Sequence, residues 1–101
     1  MPYTYVNEIS AKKISKLSDP VTAEARLQAI DTLCTETEPT EGDQVNQWLL
    51  VLKRNGIVAQ KWKSSLNGIE IYPGGKRSED RLAITVADGT VTAVNAWISE
   101  H

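Results

Sequence analysis

The segment IVAQKWKSSLNGIEIY, residues 57–72, is where the hydrophobic pattern of this chain changes period. Upstream of it, apolar residues recur every three to four positions. From Ile57 onward they tend to alternate, the period of a strand with one buried face. Asn67-Gly68 falls between two such runs, and this dipeptide is the strongest short signal for a two-residue hairpin turn. Pairing across that turn predicts Val58, Trp62 and Leu66 on one face with Ile69 and Ile71. Lys61, Lys63, Glu70 and Tyr72 then fall on the other.

Downstream, RLAITVADGTVTAVNAWI (81–98) reads as a second hairpin. A three-residue loop, Ala87-Asp88-Gly89, gathers Leu82, Ile84 and Val86 with Val94, Ala96 and Ile98, and leaves Trp97 on the opposite face with Arg81. Upstream, the pattern is helical. In SDPVTAEARLQAIDTLC, Asp19 suits an N-cap and Pro20 a first helical position. Ala23, Leu27, Ile30 and Cys34 then form one stripe, with Leu33 beside it. In QVNQWLLVLKRNG, Val45, Trp48, Leu49 and Leu52 form another. Thr40 and Asp43 precede it in the manner of a capping box, and Gly56 suits its end. NEISAKKISKLS is a weaker helical segment, and PYTYV offers only Tyr3 and Tyr5 on one side of a short strand. The expectation is a single domain over 1–101, of two-layer α+β class. N-terminal helices pack on one face of a C-terminal four-stranded antiparallel meander.

Composition narrows the function classes. A chain of 101 residues, 41% apolar and 24% charged, suits one globular domain with a real core. One Cys (Cys34) and one His (His101) leave no internal disulfide and no His/Cys metal set, and no cofactor is expected. Cys34 reads as a small buried hydrophobe. No basic start followed by an apolar run marks a signal peptide, and no apolar run reaches the length of a membrane span, so a cytoplasmic location is expected. The net charge of −2 conceals a bipolar chain. Residues 19–44 hold seven acidic side chains against Arg26, and residues 45–81 hold seven basic ones against Glu70, Glu79 and Asp80. Asymmetry of this kind can steer a charged partner.

The exposed sheet face is expected to carry Lys61, Lys63, Tyr72, Arg81, Thr85, Thr92 and Trp97. At its end stands PGGKRSED (73–80). Gly74 and Gly75 let backbone amides approach an anion, Lys76 and Arg77 add charge, and Arg81 projects onto the sheet face. This combination suits weak binding of phosphate or RNA at 74–81. It lacks the spacing of a nucleotide-binding P-loop.

RSEDRLAI resembles the stretch of barnase-type ribonucleases in which two arginines four apart flank the start of a strand. EDRLAITVADGT, with His101 soon after, is similar to the closing hairpin of RelE/ParE-type toxins. The resemblance implies metal-independent RNA cleavage, with Arg77 and Arg81 on the phosphate and His101 as acid. Glu70 is the nearest carboxylate that can serve as base. Counted from the first arginine, the barnase-type glutamate falls at Asn67 and its histidine at Ala96, so the likeness covers the arginine pair and hairpin alone. The leading reading is therefore a non-catalytic module of inhibitor, immunity or accessory type. It acts by contact with another protein, or with a second copy, through Tyr72, Trp97 and the charged residues around them.

Overall fold

Each helix begins where a side-chain oxygen can accept an orphan amide. In the computed structural model, which describes residues 1–99, Ser10 caps α1 (Ala11–Ser15) by accepting from the Lys13 amide. Asp19 caps α2 (Pro20–Glu36) by accepting from Thr22, with Pro20 in the first turn. Asp43, rather than Thr40, caps α3 (Gln44–Arg54) by accepting from Asn46. Gly56 then turns the chain with φ of 73°, a left-handed conformation that glycine adopts without strain.

The helical stripes bury as their period requires. α2 buries Ala23, Leu27, Ile30 and Cys34, and α3 buries Val45, Trp48 and Leu52. Leu49 is only partly buried and Leu50 is 53% exposed, so the α3 stripe is narrower than its sequence suggests. No helix among the described residues is long and apolar enough to cross a membrane.

The α+β class holds, with three helices among the described residues. The sheet, however, has five strands in the order β1-β5-β4-β3-β2. β2 (Val58–Lys61), β3 (Gly68–Tyr72), β4 (Asp80–Ala87) and β5 (Thr90–Ile98) form the expected antiparallel meander. β1 (Thr4–Asn7) adds to it in parallel beside β5, with Tyr5 opposite Val91. The four-strand expectation misses β1 because a parallel partner far along the chain leaves no turn signal.

Both hairpin registers differ from expectation. Asn67-Gly68 is not a two-residue turn. β2 pairs with β3 so that Val58 lies opposite Tyr72 and Lys61 opposite Ile69, and residues 62–67 connect them. The shift turns β2 over. Val58 therefore lies on the face away from the helices, Ala59 lies on the helical face, and Lys61 shares its face with Ile69 rather than with Tyr72. Leu66, expected in the core, is 95% exposed.

In the second hairpin the turn is Asp88-Gly89, with φ of 51° and 74°, and Ala87 pairs with Thr90. This positive-φ pair matches the right-handed twist of the flanking strands. The expected three-residue loop is replaced by a bulge farther along, because Ile84 pairs with Ala93 while Ala83 pairs with Asn95. Val94 is the extra residue. Before it, Val91 and Ala93 face the core, and after it Ala96 does. Val94 is only half-buried and Ile98 is 41% exposed, so two residues expected in the core are not fully in it. Trp97 does share a face with Arg81, as expected, and lies directly opposite it.

A buried carboxylate helps tie the layers together. The Asp80 carboxylate, 1% exposed, accepts from the Ser18 and Asp19 amides at 2.8 Å each. It fixes the α1–α2 junction to the start of β4.

Candidate functional site

The sheet face away from the helices is built around a buried arginine. Arg81 sits at the second position of β4, its side chain 5% exposed. Its guanidinium lies 4.2 Å over the Tyr72 ring, where the ring's negative face attracts it. Nη1 donates to the Ser78 carbonyl at 2.5 Å and to the Asp80 carbonyl at 2.8 Å. Nε lies 3.4 Å from Glu70 Oε1. Its charge, its planar face and part of its hydrogen-bonding capacity are thus engaged within the fold.

Beside this mount, Trp62 and Trp97 stack with ring centroids 5.8 Å apart and an interplanar angle of 29°. Both remain half-buried. Trp97 is held on β5 opposite Arg81. Trp62 comes from the β2–β3 connection, its amide donating to the Gly68 carbonyl at 3.0 Å. Its ring lies on Gly68, where a Cβ would meet Trp62 Cε3 at 2.8 Å. Ala83, on the same face of β4, is fully buried, as a small residue overlaid by larger neighbours should be. The face therefore presents a paired indole surface seated at Gly68, beside an arginine–tyrosine stack.

The loop from Pro73 to Glu79 is a separate element at the end of the strands. Pro73 is buried and its carbonyl accepts from Arg26 Nε at 3.1 Å. The Gly75 amide donates to the Tyr72 carbonyl at 3.0 Å, and the Ser78 amide donates to the Gly75 carbonyl at 3.1 Å. Gly75 has φ of 84°, and a Cβ on Gly74 would meet Ser78 Cβ at 2.8 Å. Both glycines are thus required by the turn itself, and the Gly75 amide is already spent in it. Lys76 and Arg77 are exposed.

The residues singled out from sequence divide accordingly. Tyr72, Arg81 and Trp97 come together on the sheet face, and Glu70 joins them through its contact with Arg81. Gly74, Gly75, Lys76 and Arg77 belong to the neighbouring loop. His101 lies outside the described residues. Sequence reasoning missed Trp62, Gly68 and Ala83 as members of the face. The available signal was KWK: a tryptophan between two lysines is poorly placed for a core position.

Two further groups are accounted for by burial. A cleft of about 430 Å³ lies between β1, α1 and α2, lined by Tyr5, Ile9, Leu27, Glu24 and Asp31. The Tyr5 hydroxyl is buried without a partner, and burial, aided by the charge of Asp31, pushes its pKa up to about 12. The same two causes push the Cys34 thiol up to about 12, which holds it protonated and unreactive. Among the described residues, no group of three or more His, Cys, Asp or Glu side chains could hold a metal ion. Comparison with protein-family models, with curated proteins and with solved structures finds no match to this chain.

Proposed function

We propose that this protein is a non-catalytic binding module that acts by protein–protein contact, with the face around Trp62 and Trp97 as its contact surface. The stacked indole pair is the observation that carries the reading. Tryptophan, tyrosine and arginine are the residue types that dominate interface energetics, and they do so best when held rigidly beforehand. Here the two indoles brace one another, Gly68 leaves room beneath Trp62, and Arg81 is fixed against Tyr72 by two carbonyls and Glu70. Arg81 serves better as a mount for this surface than as a phosphate ligand, because it is buried against Tyr72 and two of its N–H groups already bond to carbonyls.

The inhibitor, immunity or accessory type of activity fits a module of this kind, and products of neighbouring genes are the first partners to test. Binding of the true partner should shift indole emission to shorter wavelength and shield both rings from acrylamide. A partner that binds with unchanged tryptophan emission and quenching would place the contact elsewhere.

A further inference from the structure

The sheet ends at β2, so one edge of that strand has no strand beside it among the described residues. The Trp62 amide donates to the Gly68 carbonyl. In an alternating antiparallel ladder this sets the phase, turning the backbone groups of Val58 and Gln60 toward β3 and those of Ala59 and Lys61 outward. Beside this edge runs a groove of about 560 Å³ between β2 and α3. Leu49, Leu50, Ile57 and Ala59 line it, with Lys53 and Lys76 also on its wall. The groove is held open by fixed backbone, since the Ile57 amide donates to the Leu52 carbonyl at 3.0 Å and docks α3 to the start of β2. Leu50, 53% exposed, gives it an unpartnered apolar wall. Both lysines are exposed, and neither takes part in an ion pair among the described residues.

We propose that this edge accepts an extended segment of a partner protein as an added strand, apolar toward α3 and acidic where it meets Lys53 and Lys76. Strand addition gains its affinity from main-chain hydrogen bonds and its specificity from alternate side chains seated in an adjoining groove. The outward backbone of Ala59 and Lys61 supplies the first, and the β2–α3 groove supplies the second. The charges select the occupant. A second copy pairing through the same edge would bring another set of Lys53, Lys61 and Lys76 to it, which is repulsive. An acidic segment meets them favourably. The site is distinct from the indole pair and stands independently of the function proposed for it.

The test uses a short capped peptide with valine and threonine alternating at its centre and glutamates at both ends, and a second with lysines in place of the glutamates. Amide hydrogen exchange and NMR shifts report where each binds. The acidic peptide should bind and slow exchange at the Ala59 and Lys61 amides. Lys53→Glu with Lys76→Glu should weaken it about tenfold or more and favour the lysine peptide instead. Ala59→Pro should abolish binding while leaving the β2–β3 ladder, because the amide it removes points outward. Equal binding of the two peptides to the parent chain would overturn the proposal, as would no binding or shifts confined to other residues. So would protection of Ala59 and Lys61 that rises with protein concentration in the absence of peptide, which would assign the edge to a second copy.

Discussion

Trp62 and Trp97 stack 5.8 Å apart because the residue beneath Trp62 is Gly68, which has no side chain to keep the ring off the sheet. Gly68 does not have the positive φ that would by itself require glycine. Its lack of a Cβ is what the structure uses.

Gly68→Ala therefore tests the indole pair without touching either ring. The new methyl would meet Trp62 Cε3 at 2.8 Å and Ser65 Cβ at 3.0 Å, so Trp62 must move. Overpacking of this kind should cost about 1–3 kcal/mol in urea unfolding. The circular-dichroism couplet of the two coupled indoles should collapse with it. An unchanged couplet would mean that the stack does not depend on Gly68.

Asp80 is a buried polar anchor between the layers. Asp80→Ala strands the Ser18 and Asp19 amides, both of which donate to its carboxylate. Charge-assisted bonds to a buried carboxylate are strong, and the expected loss is about 3 kcal/mol or more. Asp80→Asn keeps one acceptor oxygen and should lose less. Urea melts of the two variants check the order.

The α3 stripe is tested by two neighbouring leucines. Leu52 is fully buried, and Leu52→Ala should destabilise by about 2–5 kcal/mol. Leu50 is 53% exposed, and Leu50→Ala should change stability by no more than about 0.5 kcal/mol. Equal effects would mean that the helix is rotated about its axis.

Stability should also fall in alkali. Burial raises the Cys34 thiol from 9.0 to about 12 and the Tyr5 hydroxyl from 10.0 to about 12. The folded chain therefore keeps protons that the unfolded chain has released. The stabilisation linked to them is complete below pH about 9 and is lost as pH rises toward about 12. Thermal melts across this range should show a falling Tm. Cys34→Ala should move the onset of the fall upward, toward the ordinary tyrosine range.

Much of the fold was legible from local chemistry. Asp19-Pro20, the Ala23–Leu27–Ile30–Cys34 stripe and the change of period at Ile57 each have one strong reading, and each stands in the structure. The misread features are those in which one residue answers to two causes. Gly68 signalled a turn but serves as a seat for Trp62. Val94 is an inserted residue in β5, so any single register places only half of that strand correctly. β1 pairs with a strand at the other end of the chain and carries no local mark of it. For the candidate site, Tyr72, Arg81 and Trp97 were found because the meander places alternate residues on one face. Trp62 was not, because a strand read one residue out of step sends its side chain to the wrong layer.

The central claim is that the indole face, and not the charged loop or a catalytic set, makes contact with the partner. Its most direct test is a calorimetric titration of the purified partner into the parent chain, Trp97→Ala and Val21→Ala, the last a control on α2 that is 78% exposed. The account predicts that Trp97→Ala stays folded and loses well over about 1 kcal/mol of affinity, and that Val21→Ala binds like the parent. Equal affinity of Trp97→Ala and the parent would contradict it. So would cleavage of a short RNA by the parent chain that Arg81→Ala and His101→Ala abolish and Lys61→Ala leaves intact.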